Sequence, residues 1–473
     1  MSTKIDLATL TIEKAHAHLV AGDFTARELA QAYLDEITKK NKELNVYLEV
    51  FDDVLAQADR AQKLISKDNL LAGIPMAFKD NMLIEGRRVQ SASKILDGYI
   101  APYDATAIQK LRDAGVVFLG RANMDEFAMG ASTENSAFGV THNPHDTSRV
   151  AGGSSGGSVA AVGGSLALAA LGSDTGGSIR QPSAYCGVVG LKPTYGSISR
   201  HGLMAMGSSL DIIGPITKSV RDAEILFDAM RGRDRYDSTS IEYGTQKPLK
   251  KKPVIGVPWH FVDGDGIAPE IISTFKAALK KFEKAGYEIK EIKLPNIEYS
   301  LAVYYIIVPA EVSTNLSRFD GVKYGLHVEG PNLLGDYLAT RGQGFGPEVR
   351  RRIMLGTYVL SSGYYDAYYN KANTVRELLK DDFKKAFESV DIIMTPTTAD
   401  VAFEIGKKAS DPLAMYLEDI FTVTANLVGI PALSIPAGTK KIGDKELPIG
   451  IQLMANHERE DILFTAGKDF VGE

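Results

Sequence analysis

Residues 149–193, RVAGGSSGGSVAAVGGSLALAALGSDTGGSIRQPSAYCGVVGLKP, decide how the rest of this sequence is read. Glycine and serine pairs flank an apolar run from Leu166 to Leu171, so two loops rich in backbone N–H groups border a segment that belongs in the interior. Glycine admits positive φ and lets a main chain approach a ligand closely, and successive unpaired N–H groups form a nest for negative charge. Ser154, Ser155 and Ser178 sit in these loops. No histidine or cysteine lies between Arg149 and Tyr185, so a serine nucleophile here must draw its base from elsewhere in the chain.

Upstream, LLAGIPMAFKDN (70–81) is apolar as far as Phe78 and then delivers Lys79. Taken alone, this lysine fits a solvated strand end. It also fits a lysine in a partly desolvated site, where burial disfavours the charged form and makes the amine a base. Between Asn123 and Arg149 the chain is polar and too long for a plain connector, which predicts a wall of a site.

The remaining periodicities predict an α/β protein. Residues 1–66 read as helices, with a capping box at Thr25 to Glu28 and Gly22 closing the helix before it. His16 and His18, at i, i+2, point to different sides and read as surface residues. A helix is predicted from Asp104 to Gly115 and a buried strand over 115–120. Further helices are expected at 219–230, 269–284, 299–319, 347–360, 364–390 and 415–428, and strands at 254–258, 287–292, 391–396, 432–436 and 448–454. This alternation, with no internal repeat and no long linker, predicts one mixed-sheet α/β domain over 1–473: a helical flank (1–66), a catalytic core (67–215) and the rest of the sheet with recognition helices (216–473).

Composition sets bounds. With 473 residues, 44% of them hydrophobic, the chain can bury a large core, and a net charge of −6 argues against a nucleic-acid surface of its own. Cys186, the one cysteine, excludes an intrachain disulfide and a cysteine zinc site, and reads as a small buried residue. No apolar run is long enough for a membrane span, and the first residues lack a signal-peptide core, so a cytoplasmic protein is expected.

Several short patterns fail in context. Gly152–Gly156 (GGSSG) matches a nucleophile elbow, but polar, turn-forming residues precede it where a strand is required. Ser91–Lys94 matches S-x-x-K without the motifs that accompany it. His142 and His145 have no third ligand near them in sequence, so no metal is expected. No phosphate-binding G-x-x-x-x-G-K-[ST] loop is present.

Lys79, the GGSSGGS loop and GSDTGGSIRQP together resemble the amidase signature family over Lys79 to about Pro215, the two loop serines lying 24 residues apart. The resemblance implies a mixed central sheet covered by helices on both faces, an α/β/α sandwich. It also implies a Ser-cis-Ser-Lys triad in which Ser178 attacks an amide carbonyl and Ser154, in a cis peptide, relays the proton to a neutral Lys79 across what is read as a loop-strand-loop segment. The N–H groups of Thr175, Gly176, Gly177 and Ser178 would face the oxyanion, and Asp174 would orient their loop. Ala151, Arg121-Ala122 and His145 depart from the usual family pattern without removing a catalytic group.

Within the family, NMDEFAMGASTENSAFG, RRRIMLGTYVLSSGYYDAYY and MYLEDIFTVTANLVGIPALSIP resemble the glutaminase subunits of tRNA-dependent amidotransferases over essentially the whole chain. That branch implies hydrolysis of glutamine and delivery of ammonia to a B subunit, where ATP with Mg2+ activates glutamyl-tRNA(Gln) or aspartyl-tRNA(Asn), while a small C subunit holds the other two together in a heterotrimer. No cofactor is expected on this chain, and charged tRNA is expected mainly on the B subunit. Arg352 would bind the glutamine carboxylate and Asp419 its amine, with Tyr304 or Tyr305 adding a hydroxyl; which of Arg350, Arg351 and Arg352 points inward stays open in the sequence. The alternatives are a free-standing amidase acting on another small amide and a catalytically silent scaffold.

Overall fold

A computed structural model of the chain describes residues 5–244, 246, 251–264, 266–408 and 411–473. In chain order the strands are β1 (Tyr47–Val50), β2 (Pro75–Lys79), β3 (Val117–Ala122), β4 (His142–Asn143), β5 (Asp146–Val150), β6 (Ala169–Asp174), β7 (Val189–Lys192), β8 (Ile212–Thr217), β9 (Val254–Val257), β10 (Glu288–Glu291), β11 (Ile392–Pro396), β12 (Ala432–Ile442) and β13 (Lys445–Ala455). Eleven of them form one sheet in the order β1-β3-β2-β6-β8-β7-β12-β13-β11-β9-β10, and β4 pairs with β5 apart from it. The sheet is mixed: β3, β2 and β6 run parallel, as do β11, β9 and β10, and antiparallel pairs join these two blocks.

Successive residues of a strand point to opposite faces, and here they enter two different apolar clusters. Ile392 and Met394 join one cluster and Ile393 the other, as Leu433 and Ala432 do on β12. The first cluster is closed by the helices Ala26–Leu44, Gly156–Gly163, Val220–Met230 and Glu460–Val471, the second by Ser300–Asn315, Pro347–Val359 and Lys371–Ala386. Helices therefore cover both faces of a mixed sheet, as expected. No helix among the described residues is long and apolar enough to cross a membrane.

The capping box forms as predicted: Thr25 accepts from the Glu28 N–H while Glu28 accepts from the Thr25 N–H. Elsewhere the elements depart from expectation. The helical flank contains β1, which pairs antiparallel with β3, and His16 is buried, not on the surface. The serine-to-serine segment holds the helix Gly156–Gly163 as well as β6. Three glycines, each costing about 1 kcal/mol in a helix interior, oppose such a helix by propensity, but close packing decides: a Cβ at Gly157 would lie 2.4 Å from the Asn123 carbonyl oxygen. The helix expected at 415–428 is broken into Pro412–Tyr416, a short 3-10 turn Leu417–Asp419 and Val423–Val428. The one expected at 364–390 begins with a π turn over Asp366–Asn370 before Lys371–Ala386, and a further helix, Leu333–Gly344, was not foreseen.

Candidate active site

Lys79 ends β2 and Ser173 lies near the end of the adjacent parallel strand β6, so both stand at carboxyl ends of neighbouring strands, where open α/β sheets place ligands. Lys79 is 1% exposed. Its Nζ contacts Ser154 Oγ at 2.7 Å, Ser155 Oγ and Ser173 Oγ at 2.9 Å, and the Ser173 carbonyl at 3.2 Å. Asn81 Nδ2 in turn donates to Ser173 Oγ at 2.9 Å. Burial pushes the Lys79 ammonium down to about 7, against the opposing pull of Asp125, Asp174 and Asp211. The amine is thus half neutral near pH 7, with hydroxyls and not carboxylates in contact with it.

Ser154 follows a cis peptide bond from Gly153 and is fully buried. The loop around it is pinned on every side. Its carbonyl accepts from the Asp125 N–H at 3.2 Å, the Gly153 N–H donates to Gln181 Oε1 at 3.1 Å, and Thr133 Oγ1 donates to the Gly152 carbonyl at 2.8 Å. A Cβ at Gly153 would sit 2.1 Å from Asp125 Oδ2, so no larger residue fits there.

Ser178 lies across from Ser154 on the second loop, tied by its carbonyl to the Ser155 N–H at 3.1 Å. Its hydroxyl has no hydrogen-bond partner among the described residues, and the residue keeps 7% exposure. The Lys79-to-Ser154 contact is therefore formed, while the expected bridge from Ser154 to Ser178 is not made in this state. Catalytic hydrogen bonds are often loose before substrate binds.

Asp174 anchors the second loop. It accepts from the Gly177 and Ile179 N–H groups and from Arg180 Nε and Nη2 at 2.9 to 3.2 Å. Burial opposes its ionisation, but the Arg180 guanidinium outweighs it and holds the carboxyl down at about 2. Arg180 is itself fully buried and reaches Gln452, Asn426 and the Thr422 carbonyl. One consequence corrects the expected oxyanion set: the Gly177 N–H is already engaged by Asp174. The N–H groups of Thr175, Gly176 and Ser178 have no partner among the described residues and remain free to face an oxyanion.

The residues expected to recognise the substrate converge on the same loop. Of the three consecutive arginines Arg352 alone is buried, 3% exposed. Its Nε donates to Glu348 Oε1 at 2.8 Å, and its guanidinium lies 5.3 Å from the Tyr305 ring centre and 5.5 Å from that of Tyr416. Tyr305 donates to Asp419 Oδ2 at 3.3 Å. A Cβ at Gly177 would lie 3.2 Å from Asp419 Oδ1, and one at Gly176 2.7 Å from the Tyr304 hydroxyl, so Asp419 and Tyr304 both abut the 175–178 turn. Burial pushes the Asp419 carboxyl up to about 8, with Arg352 pulling it the other way.

Tyr305, Arg352, Glu348 and Tyr416 line a cleft completed by Gly130 to Ser132, Glu134 and Asn135, so the polar 123–149 segment does form a wall. Glu348, Tyr416, Arg180 and Asp125 were not singled out in the sequence. Glu348 and Arg352 do carry a signal, as an i, i+4 acid–base pair on one helix face, and Arg180 stands out as a charge in an otherwise buried run. Tyr416 carries none. Cys186 is buried, as expected. His142 and His145 are spent on the carbonyls of Thr147 and Cys186, and no cluster of potential metal ligands exists among the described residues.

A family model described as Amidase matches residues 28–464. The chain is 48% identical over 474 residues to the A subunit of the glutamyl-tRNA(Gln) amidotransferase of Desulfatibacillum aliphaticivorans, covering 98% of this chain and 97% of that one. It is 50% identical over 467 residues to the protein of the same name from Koribacter versatilis, covering 96% of each. The crystal structure of the glutamyl-tRNA(Gln) amidotransferase A subunit from Thermotoga maritima superposes with a TM-score of 0.81 at 40% identity, covering 99% of this chain and 96% of that one.

Proposed function

The chain belongs to the Amidase family, and from that premise we propose that it is a glutamine-hydrolysing subunit of a tRNA-dependent amidotransferase. The observation that carries the chemistry is the 2.7 Å contact of Lys79 Nζ with Ser154 Oγ, on a loop tied to that of Ser178, whose hydroxyl has no hydrogen-bond partner among the described residues.

Ser178 Oγ attacks the carboxamide carbon of glutamine while its proton passes to Ser154 Oγ and the Ser154 proton to the neutral Lys79 amine. The negative charge that develops on the amide oxygen is met by the free N–H groups of the 175–178 turn, each typically worth about 3 kcal/mol of transition-state stabilisation. Lys79 returns a proton through Ser154 to the leaving nitrogen, the C–N bond breaks, and ammonia departs. Water then cleaves the γ-glutamyl ester by the same relay, releasing glutamate and restoring Ser178. Arg352 takes the α-carboxylate as a charge-assisted, forked contact, and Asp419 the α-ammonium.

Full-length similarity to proteins named as amidotransferase A subunits supports the wider assignment. The ammonia is consumed on the B subunit, which uses ATP and Mg2+ to amidate glutamyl-tRNA(Gln) or aspartyl-tRNA(Asn); the heterotrimer is completed by a C subunit, and the assembly works in the cytoplasm. No step on this chain needs a cofactor.

The test is Ser178→Ala in the assembled enzyme. Glutamine-dependent amidation falls at least about a thousandfold, while amidation with added ammonium salt persists. Loss of both would refute a role confined to making ammonia, and hydrolysis of simple amides without any action on glutamine would favour the free-standing amidase.

A further inference from the structure

Each residue of the 174–178 loop has an anchor, and all but one of the anchors lie within the motif or on the 415–428 segment. Asp174 is held by Arg180 and Asn426, the Gly176 carbonyl by Thr422 Oγ1 at 2.6 Å, the Gly177 N–H by Asp174, and the Ser178 carbonyl by Ser155. The exception is Thr175, whose hydroxyl donates to Asp211 Oδ1 at 2.7 Å. Asp211 is 3% exposed, has no cation in hydrogen-bond contact among the described residues, and accepts otherwise only from the N–H groups of Met206 at 2.9 Å and Gly207 at 3.1 Å.

A tether alone does not call for a carboxylate. Burying one without a partner cation is costly, and a neutral acceptor could hold a threonine hydroxyl. What the carboxylate adds is three simultaneous donors from two segments, closing the turn 206–211 onto the loop. That turn is rigid on its outer side as well. Ser209 donates to Glu311 through its N–H at 2.9 Å and its hydroxyl at 2.5 Å, Asn315 Nδ2 donates to the Met206 carbonyl at 2.9 Å, and Arg376 donates to Ser209 at 3.1 and 3.2 Å. Glu311 and Asn315 belong to the helix Ser300–Asn315, the one that presents Tyr304 to Gly176.

The geometry points to Asp211 as a positioning residue for amide hydrolysis: through the Thr175 hydroxyl it fixes the direction of the Thr175 and Gly176 N–H groups toward the carbonyl oxygen. This rests on the reading of Ser178 as nucleophile. It adds that the oxyanion site is set from outside the Ser–Ser–Lys motif, by a turn shared with the tyrosine-bearing helix. Asp211 touches no substrate; it acts through Thr175.

Four variants of the full chain, assayed with its co-purifying subunits, test this: Asp211→Asn, Thr175→Val, the two combined, and Thr175→Ser. Asparagine turns an NH2 group toward a backbone N–H donor, and valine removes only the hydroxyl. Each of these two lowers kcat for glutamine hydrolysis by about tenfold to a hundredfold with KM changed less than about twofold, because the lost interaction matters in the transition state. The double variant is no slower than the slower single, since both break one link, and Thr175→Ser recovers most of the loss.

A kcat for Thr175→Val within about twofold of the parent, or a double variant whose losses multiply, overturns the inference even if Asp211→Asn folds poorly. Ser178→Ala run in parallel separates the two claims. If Ser178→Ala is inactive and Thr175→Val is unimpaired, only the role of Asp211 fails; if Ser178→Ala still hydrolyses glutamine, the underlying reading fails with it.

Discussion

Lowering the pH from 8 to 6 protonates the proposed base without touching any other member of the relay. With Lys79 pushed down by burial to about 7, its neutral fraction falls from about nine-tenths to about one-tenth, so kcat at saturating glutamine falls about tenfold along a single-proton limb. The second-order constant kcat/KM behaves differently, because it reports the free enzyme. There Asp419 must also be ionised to receive an ammonium group, and burial holds it at about 8. Its ionised fraction drops about fiftyfold over the same interval, so kcat/KM falls several hundredfold and approaches a two-proton slope below pH 7. In the complex the bound ammonium keeps Asp419 ionised, which removes that limb from kcat. Asp125 and Asp211, both pushed up by burial to about 6, add no more than about a factor of two each at the bottom of the range. The assay is steady-state ammonia release from glutamine at constant ionic strength. A kcat that stays flat between pH 8 and 6 would refute the neutral amine as base, and parallel falls in kcat and kcat/KM would refute Asp419 as the ammonium site.

Two substitutions probe the surrounding construction. Replacing Arg352 with Lys keeps the charge but loses the planar fork and weakens the cation–π contacts with the stacked Tyr305 and Tyr416 rings; KM for glutamine rises about tenfold to a hundredfold, while an amide lacking the α-carboxylate is hydrolysed at an unchanged rate. Equal losses on both substrates would make Arg352 a framework residue only. Gly153→Ala places a methyl 2.1 Å from Asp125 Oδ2 and 2.6 Å from the Ser132 nitrogen. Urea denaturation reads that overpacking as a loss of about 1 to 3 kcal/mol or more, and a variant as stable as the parent would show that the loop has slack the packing does not reveal.

Those residues differ in how plainly the sequence announces them. Lys79, Ser154 and Ser178 are singled out together by the resemblance to the amidase signature family, which rests on local motifs: an apolar strand ending in lysine, and two glycine-rich loops. The α/β character is legible from alternating periodicities, and the capping box from four residues. Tertiary packing hides the rest. The Gly156–Gly163 helix contradicts glycine's propensity and forms because small residues let it press against Asn123. The break in the 415–428 helix contradicts a regular apolar pattern. It occurs at Asp419 to Thr422, where Asp419 abuts Gly177 and the Thr422 hydroxyl donates to the Gly176 carbonyl. Partners such as Glu348 and Tyr416 at Arg352, or Asp211 at Thr175, are brought together by the sheet and leave at most a spacing rule behind.

What the folded arrangement accomplishes is a separation of two kinds of buried charge. The two loops lie within one hydrogen bond of each other, yet burial leaves Lys79 about half uncharged at neutral pH while Asp174 stays fully ionised. The difference lies in the partners. Asp174 has a guanidinium held in fixed geometry by Gln452, Asn426 and a backbone carbonyl, and such a pair tolerates burial because its donors and acceptors are matched. Lys79 is given hydroxyls and a carbonyl, which satisfy its hydrogen bonds without offering a counter-charge, so nothing offsets its desolvation except distant carboxylates. Moving a carboxylate into contact with Lys79 would restore its charge and end its use as a base, even with every serine in place. Groups whose environments push their pKa values apart mark out acid and base roles, and here the division falls between a loop kept rigid by an ion pair and an amine kept reactive by having none.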